Sequence, residues 1–270
     1  MEPILQVKDL THTYGAGTPF QRSAVEHMSF DVNEGEFLGI IGHTGSGKST
    51  LIQHLNGLLQ PTVGEILLRG KNIWAEPKKI REVRFKVGLV FQYPEYQLFE
   101  ETIAKDIAFG PKNQGLSEEE IDQRVRRAMA HVHLDYDKYA ERSPFDLSGG
   151  QMRRVAIAGV LAMEPKVLIL DEPANFVDNK FEKELYRTLH ELNTRMAIVM
   201  VSHDIGTITS VVKEIVCVNR RVHRHRSNVL TEEQLRNYDC PIQLVSHGHI
   251  PHTVLEHHPG DGCCDHDSVR

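Results

Sequence analysis

Short apolar runs recur along the chain and are separated by longer segments of mixed polarity. Five runs of five or six residues are rich in Val, Ile and Leu and predict buried strands. They occupy residues 37–41, 87–91, 167–171, 196–201 and 214–218. Segments between them carry apolar residues three or four positions apart, which is typical of helices that cover a sheet. The alternation predicts an α/β fold with a mostly parallel sheet and helices on both faces.

The first segment of the chain has a different rhythm. From Ile4 to Phe37, apolar and polar residues alternate in short stretches, interrupted at Gly15–Gly17 and Asn33–Gly35. Alternation with a period of two indicates strands with one exposed face. We expect short strands that form a small antiparallel β subdomain beside the parallel sheet.

A third pattern interrupts the strand–helix rhythm between about residues 95 and 160. Ser117 and Glu120 have the spacing of a capping box. The apolar residues that follow lie four positions apart, at Ile121, Val125 and Met129. We therefore expect a helical subdomain inside a main domain of residues 1–222, followed by a C-terminal extension of residues 223–270.

The composition is that of a soluble globular protein. Of the 270 residues, 40% are hydrophobic and 25% are charged, and the net charge is −6. This acidic balance argues against a nucleic-acid-binding protein, which would carry a basic stripe. The longest apolar runs have about seven residues, too few to cross a bilayer, and the first residues do not form a secretory signal. We expect a cytosolic protein that contacts a membrane only through partners.

The residues after the first apolar run carry the strongest chemical signal. Gly42–Ser49 fits the P-loop pattern GxxxxGK[ST], between a predicted strand and a predicted helix. Its glycines let backbone N–H groups turn towards phosphates, Lys48 can reach the β- and γ-phosphates, and the Ser49 hydroxyl suits Mg²⁺. The nucleotide-binding residues predicted here are Gly42, Thr44, Gly45, Ser46, Gly47, Lys48, Ser49 and Thr50. The chain is thus predicted to bind a nucleoside triphosphate.

A second motif lies about a hundred residues further on. It consists of Leu147, Ser148, Gly149, Gly150 and Gln151 and precedes a helical pattern from Met152 to Met163. This LSGGQ sequence resembles the signature of ATP-binding-cassette (ABC) ATPases, whose other motifs follow in the family's order. The matching positions are Tyr14, Gln92, Asp171 with Glu172, Asp178 and His203.

The resemblance implies a P-loop ABC ATPase fold that binds ATP and Mg²⁺ and hydrolyses ATP. Tyr14 would stack on adenine, and Asp178 lies at the D-loop position. The catalytic residues it implies are Glu172 on the attacking water, His203 on the γ-phosphate and Gln92, and the Mg²⁺ ligands are Ser49, Gln92 and Asp171. In this family the signature of one subunit closes over the P-loop of another. The resemblance therefore implies a head-to-tail dimer, with a second copy or with a paralogue.

The N-terminal two thirds resembles a narrower group. Residues 87–102, 106–111 and 153–163 are similar to the ATPase of energy-coupling factor (ECF) importers, and the resemblance covers residues 1 to about 173. It implies a transmembrane T component with a substrate-binding subunit as partners, at the cytoplasmic face of the cell membrane. The cargo would be a vitamin or a cobalt or nickel ion. The short interval between P-loop and signature and the single cassette argue against soluble repair-type and translation-type members.

The segment after Gln92 is the part of the ECF family that grips the T component. By that resemblance the candidate coupling contacts are Tyr93, Pro94, Gln97, Leu98 and Phe99. The alternative is that these residues pack the hinge between the subdomains. The sequence leaves both interpretations open.

Beyond Pro173 the resemblance changes. Residues from about 174 to 260 resemble the ATPase of zinc/manganese ABC importers, which gives the chain a chimera-like character. The similar segments are residues 174–186, 201–206, 218–223 and 240–248. A zinc or manganese importer is therefore the alternative function, with the seam near Asp171 to Asn175.

Histidines are concentrated at the C-terminal end. Ten of the 16 histidines lie from His190 onward, and Cys263 and Cys264 add soft ligands near the end. Imidazole and thiolate suit zinc, although adjacent cysteines are poor geometry for one tetrahedral site. We expect either a tail that binds zinc weakly or a disordered polar end. Cys217 lies within a predicted strand and is interpreted as a core residue.

Overall fold

The computed structural model describes residues 3–175, 179–226, 242–247 and 250–255. Its strands are β1 (Pro3–Tyr14), β2 (Arg22–Asn33), β3 (Phe37–Ile41), β4 (Val63–Leu68), β5 (Lys71–Asn72), β6 (Val87–Val90), β7 (Val167–Asp171), β8 (Ala197–Ser202), β9 (Glu214–Asn219), β10 (Arg221–Arg226), β11 (Ile242–His247) and β12 (Ile250–Leu255). Its α-helices are α1 (Lys48–Leu55), α2 (Ile80–Lys86), α3 (Ile103–Asn113), α4 (Glu118–His131), α5 (Tyr136–Tyr139), α6 (Gly149–Leu161), α7 (Asn179–Asn193) and α8 (Ile205–Val211).

The central sheet confirms the predicted α/β fold. Its strand order is β10-β9-β3-β8-β7-β6, and all neighbours pair in parallel except β10, which is antiparallel to β9. The five apolar runs become β3, β6, β7, β8 and β9, with ends that differ by at most one residue from those predicted. Such short runs are almost fully buried because both faces of a parallel sheet are covered.

Each face of the sheet packs on a different hydrophobic cluster. In β7, Leu168 and Leu170 join the cluster formed with the helical subdomain, whereas Val167 and Ile169 join the cluster formed with the antiparallel sheet. All four are completely buried. The buried Cys217 of β9 is a core residue, as the sequence predicted.

The antiparallel subdomain is larger than the sequence predicted. Its order is β2-β1-β4-β5, so two strands that follow the P-loop complete it. β1 and β2 have twelve residues each rather than being short, and register shifts occur along their pairing between Pro3 and Thr13. Bulges of this kind let a long strand keep twisting and pairing.

The helical subdomain comprises α3 to α6, and its predicted capping box is confirmed. Ser117 accepts a hydrogen bond from the Glu120 backbone N–H, and the Glu120 carboxylate accepts one from the Ser117 backbone. Val125 and Met129 are buried on the inner face of α4. The subdomain is thereby packed against α7 and the edge of the central sheet.

The predicted division at residue 222 stays a prediction, although β10 pairs with β9 as far as Arg226. β11 and β12 form a separate two-stranded sheet. No helix in the described part of the chain has the length and apolarity that a membrane crossing needs. Asp178 lies outside the described residues, as do His249, His257, His258, His266, Cys263 and Cys264 of the histidine-rich end.

Candidate functional site

A cavity of about 820 Å³ opens at the carboxyl ends of β3, β7 and β8. In doubly wound sheets this edge is where ligands bind, because the loops that follow parallel strands meet there. The predicted site residues that line it are Tyr14, Gly42, Thr44, Gly45, Gly47, Lys48, Ser49, Thr50, Gln92, Asp171, Glu172 and His203. The structure thus gathers nearly all the site residues predicted for the central domain into one place.

Two glycines of the P-loop are required by their surroundings. A Cβ atom on Gly42 would lie 2.3 Å from the Val218 carbonyl oxygen. Gly47 has a φ of +105°, which L-residues rarely adopt, and its Cβ would lie 2.7 Å from the Ala24 carbonyl. The loop therefore follows its path only with glycine at these positions. The predicted Ser46 does not line the cavity and is buried beneath the loop.

Lys48 is the first residue of α1 and lies within the curve of the P-loop. Its ammonium group donates hydrogen bonds to the carbonyl oxygens of Gly42, at 2.6 Å, and His43, at 3.0 Å. The start of α1 directs backbone N–H groups into the same region. Together the ammonium group and the helix start give this part of the cavity positive electrostatic character, which suits phosphate groups.

Asp171 contributes a carboxyl group to the same cavity. Only 8% of Asp171 is exposed. Burial and the neighbouring Glu172 charge raise its pKa to about 6, against the opposing effect of Lys48. A buried carboxylate of this kind is stabilised by a cation.

The residues around Asp171 fit Mg²⁺, which prefers oxygen ligands and binds proteins through one or two carboxylates. Ser49 supplies a hydroxyl and Gln92 an amide oxygen in the same cavity. Within the described ranges, no group of three or more His, Cys, Asp or Glu side chains has the arrangement of a metal site. A shell of one serine, one glutamine and one aspartate is compatible with that finding, because it holds a single carboxylate.

Glu172 and His203 form a direct contact between two side chains of the cavity. The Glu172 carboxylate lies 2.7 Å from Nδ1 of His203 and also accepts a 3.3 Å hydrogen bond from the His203 backbone N–H. The glutamate side chain is 10% exposed and the histidine side chain 60% exposed. Glu172 also has a φ of +48°, an uncommon conformation that tends to occur at functional sites.

Tyr14 also lines the cavity, and two histidines pack beside it. His12 contacts both Tyr14 and His54 edge-on, with ring centroids 4.6 Å apart in each pair. Burial and His12 lower the pKa of His54 to about 4, and its Nδ1 bonds to the Leu59 carbonyl at 3.0 Å. These histidines support the tyrosine ring, 44% of which stays exposed. No local pattern indicated this stack, because His12 and His54 lie 42 residues apart in the sequence.

The signature residues do not reach the cavity. Leu147 is buried in the helical subdomain, whereas Ser148 and Gly149 are exposed at the start of α6. Ser148 caps the helix by accepting from the Gln151 backbone N–H, and the Gln151 amide oxygen accepts from the Ser148 backbone. A Cβ atom on Gly149 would meet nothing within 4 Å, while one on Gly150 would contact Phe181. Within one chain, the two phosphate motifs therefore lie apart.

Arg153 is the residue that sequence reasoning missed and that links α6 to the cavity. Only 5% of it is exposed. Its guanidinium donates to the carbonyl of Gln92 at 2.7 Å and to those of Glu172, Pro173 and Asn175 at 3.3, 2.6 and 3.0 Å. The signal that could have found it is a charge on the buried face of a predicted helix. Further lining residues without a sequence prediction are Arg22, Ser23, Asn175 and Arg220.

Known proteins with similar sequences and structures identify the class of protein to which the chain belongs. The sequence profile of the family described as ABC transporter matches residues 25–175, more than half of the chain. The dimeric ATP-binding cassette MJ0796, solved with ADP and Pi, has a TM-score of 0.74 at 28% identity and covers 84% of this chain and 100% of its own. With the fold and the cavity described above, these matches show that the chain belongs to the ABC transporter family and is an ATPase coupled to transport.

More similar relatives define the narrower family. The energy-coupling factor transporter ATP-binding protein EcfA2 of Clostridium tetani is 53% identical over 218 residues, 80% of this chain and 76% of the relative. The protein of the same name from Bacillus licheniformis is 47% identical over 221 residues, with the same coverage. The solved cbiO1 of Clostridium perfringens, part of the ABC transporter complex cbiONQ, has a TM-score of 0.77 at 35% identity over 88% of this chain and 94% of its own. The chain is an ATP-binding subunit of the energy-coupling factor transporter family.

This family membership corrects one expectation. The alignments to the ECF relatives are longer than the 173 residues to which the sequence pattern had limited that resemblance. The ECF relation therefore continues into the segment that resembled zinc/manganese importers. The chimera-like interpretation has no support from these relatives, because short local similarities beyond Pro173 are outweighed by a match across most of the chain.

Proposed function

We propose that the cavity binds ATP with its adenine on Tyr14 and its phosphates on the P-loop. The exposed Tyr14 and the P-loop glycines Gly45 and Gly47 line the same cavity. Lys48 would then exchange its P-loop carbonyl partners for the β- and γ-phosphates. Arg22 and Arg220 add positive charge to the same lining. The dimension and charge of the cavity support a nucleoside triphosphate as ligand.

Ser49, Gln92 and Asp171 would hold Mg²⁺ beside the phosphates. When bound, the ion supplies positive charge that offsets the charge of the phosphate oxygens. Ligation would also resolve the unfavourable burial of Asp171, whose pKa is raised in the chain alone. The carboxylate would then be ionised at neutral pH.

Glu172 would orient and deprotonate the water that attacks the γ-phosphate. Its carboxylate is held on one side by His203, at 2.7 Å, and its carbonyl is held by Arg153. One carboxylate oxygen faces the histidine, which leaves the other to accept the water proton. His203, with most of its side chain exposed to the cavity, would contact the γ-phosphate with its second ring nitrogen.

The Glu172–His203 contact is the observation that carries this proposal, and replacing the carboxylate tests it. Glu172→Gln keeps the shape and the contact but removes the proton acceptor. We expect ATP binding to stay within about threefold of the wild type, while turnover falls by roughly a hundredfold or more. Glu119→Gln, which removes the same charge from the exposed surface of α4, should alter neither. A turnover rate equal to that of the wild type in Glu172→Gln would show that Glu172 is not the proton acceptor.

A second ABC subunit would complete the site. The signature helix start is exposed and lies outside the cavity of its own chain, and the space beside Gly149 is open. A γ-phosphate held on the P-loop of another subunit would fit against the free N–H groups of α6. We infer a head-to-tail dimer, formed with a second copy or a paralogue, in which each subunit contributes its signature to the other.

An exposed aromatic surface next to the cavity would contact the transmembrane T component. It consists of Tyr93, Tyr96, Phe99 and Phe109, which are between 40% and 82% exposed and pack in two edge-on pairs. Asp106 holds the intervening loop by accepting from the backbone N–H groups of Phe99 and Glu100, each at 2.9 Å. Exposed aromatic clusters of this kind are typical of interaction surfaces.

Three of the five predicted coupling contacts do not belong to this surface. Pro94 and Leu98 are buried. The Gln97 side chain turns inward, accepts from the Phe91 backbone N–H at 2.8 Å and donates to the Leu89 carbonyl. These three residues pack inside the chain, which favours the alternative that they pack the hinge between the subdomains. Tyr96 and Phe109 are the exposed residues that the sequence did not single out.

Contact with the T component would place the chain at the cytoplasmic face of the cell membrane, without nucleic acid and without its own membrane contact. The cargo would be a vitamin or a cobalt or nickel ion, selected by a separate substrate-binding subunit. We expect Tyr96→Ser with Phe99→Ser to lose the T component in a pull-down while ATP binding persists. Phe20→Ser serves as the control, because Phe20 is an even more exposed aromatic residue in another loop. Retention of the T component by the double variant would contradict this surface assignment.

A further inference from the structure

A second concave site lies at the opposite end of the central sheet from the nucleotide cavity. It has a volume of about 200 Å³ and is formed where α4, the end of α6, the start of β7 and the segment after α7 meet. Its charged lining residues are Arg124, Arg127, His131, Glu164, Lys166 and Arg195. We call this site the cationic crevice. Its base is apolar and includes Leu161, Leu192 and Met196.

Only part of its positive charge is balanced within the chain. Glu164 pairs with Arg124 at 3.2 Å and with Arg127 at 3.1 Å. Arg124 also donates to the carbonyl of Ala162 at 3.3 Å, which fixes its position. In the ranges that the structure describes, the side chains of Lys166 and Arg195 have neither a hydrogen bond nor an ion pair. One carboxylate therefore faces four permanent cations.

The surrounding groups confirm a positive local environment. Burial lowers the pKa of His131, and Arg195 and Arg127 lower it further. Glu191 opposes them from α7, but its carboxylate is 4.0 Å from Arg187 on the same helix. The chain as a whole carries a net charge of −6. A concave concentration of unbalanced cations in an acidic protein points to an anionic ligand.

We propose that the cationic crevice binds a small organic phosphate. Guanidinium groups match the geometry of phosphate oxygens, and three of them converge here with a lysine and an imidazole. The apolar base can accept a short carbon skeleton. The volume lies below the range of about 300–1,000 Å³ that holds drug-sized ligands, so a compound of a few carbon atoms fits and a nucleotide does not.

An occupant of the crevice would bridge two parts of the molecule. Arg124, Arg127 and His131 belong to the helical subdomain, whereas Lys166 and Arg195 belong to the central domain. A phosphate bound by both sets joins α4 to the segment after α7. The ligand thereby stabilises one arrangement of the two subdomains, at a distance from the site where ATP would bind.

Calorimetric titration with phosphoenolpyruvate tests the proposal, in saturating ADP and Mg²⁺ so that the nucleotide cavity is occupied. We expect one binding event per chain. Arg195→Gln and Lys166→Gln should each weaken it by about tenfold or more, as expected for a lost hydrogen bond to a charged group. Lys183→Gln removes an exposed positive charge near the other end of α7 and should leave the affinity unchanged. No binding, or equal affinity in all three variants, would overturn the assignment.

A second measurement separates the crevice from other anion sites. The His131 ring, identified in the NMR spectrum by comparison with His131→Gln, reports the local charge. Bound phosphoenolpyruvate should raise the His131 pKa, because an anion offsets Arg195 and Arg127. Inorganic phosphate should bind more weakly, since it lacks the apolar part. Tighter binding of citrate than of phosphoenolpyruvate would contradict the phosphate assignment, as would a His131 titration that the ligand does not change.

Discussion

Two helices of the helical subdomain begin with the same capping box but differ in charge. At the start of α4, Ser117 and Glu120 bond reciprocally to each other's backbone. At the start of α6, Ser148 and Gln151 do the same. α4 has three glutamates in its first turn, whereas α6 has no acidic residue there. The hydrogen bonds that begin the helices are therefore equivalent, and the electrostatic environment is not.

This difference indicates separate roles for the two helix starts. Acidic side chains in the first turn offset the positive N-terminal end of a helix within the chain itself. α6 lacks that compensation and presents Ser148 and Gly149 to solvent. Its N–H groups remain suited to an anion from outside the chain. The start of α4 is therefore compensated within the chain, whereas the start of α6 is the one that we propose completes a site on another subunit.

The largest expected effect comes from giving α6 the charge of α4. Gly149 and Glu118 occupy the same first position of their helices. Gly149→Glu should lower ATP turnover of the transporter complex by roughly a hundredfold, because a carboxylate would repel the γ-phosphate. The melting temperature should not fall, since a Cβ there meets no neighbour. The matched control is Glu118→Gly, for which phosphate release should stay at the wild-type rate. Equal turnover in both variants would break the comparison.

The next effect comes from breaking the hydrogen bonds that link α6 to the nucleotide cavity, for which α4 has no counterpart among the described residues. Arg153 ties α6 to the carbonyls of Gln92 and Glu172 in the cavity. Arg153→Met should reduce the free energy of unfolding by about 3 kcal/mol, because buried carbonyls lose their donor. At low temperature, where Arg153→Met is still folded, its kcat should be about tenfold below that of the wild type while its ATP affinity is unchanged. Arg153→Lys should recover part of the lost kcat. A kcat equal to wild type would assign Arg153 to stability alone.

Asp171, like the start of α6, carries charge that no group in the described part of the chain fully compensates. Its pKa is raised from 3.8 to about 6, so the folded chain holds a proton that the unfolded chain releases in this interval. Stability without nucleotide or metal therefore falls as the pH rises from about 4 to 6, and it stays lower above 6. Asp171→Asn should be more stable by about 3 kcal/mol at pH 7.5, corresponding to roughly two pKa units. Denaturant unfolding of the wild type and Asp171→Asn at about pH 4 and at pH 7.5 measures this difference in stability. A stability difference that does not change with pH would contradict the prediction.

The smallest expected effect comes from removing the hydroxyl group of each capping serine. Ser117→Ala and Ser148→Ala should each destabilise the chain by about 1 kcal/mol, the usual contribution of an N-cap. Only Ser148→Ala should also slow turnover, because its hydroxyl lies at the surface that would meet the phosphate. Paired thermal unfolding and phosphate-release assays measure both properties. A similar loss of turnover in Ser117→Ala would show that helix stability, not position, determines activity.

Local patterns in the sequence predicted much of this architecture. The apolar runs located β3 and β6 to β9 within one residue, because a buried parallel strand needs a continuous apolar segment. The P-loop glycines predicted a loop whose path the surrounding carbonyls enforce. The capping box at Ser117 predicted the start of α4 correctly. In each case the residue pattern that made the prediction lies within a few positions along the chain.

The features that the sequence did not predict depend on distant contacts. Arg153 contacts carbonyls 61 and 19 to 22 residues away, and the cationic crevice joins residues from Arg124 to Arg195. β4 completes the antiparallel sheet only because β1 lies beside it. Which candidate coupling residues face solvent was likewise decided by packing. Periodicity identifies an element and its buried face, but not the elements that it meets.

The central claim is that α6 of one subunit completes the ATP site of another. The most direct measurement is a structure of the assembled transporter with ATP and Mg²⁺, trapped by Glu172→Gln in this chain. Backbone N–H groups at the start of α6 should then lie about 3 Å from the γ-phosphate held by the partner's P-loop. An α6 start that remains in solvent, with the γ-phosphate contacted only by the chain that binds it, would show that the site is complete within one chain.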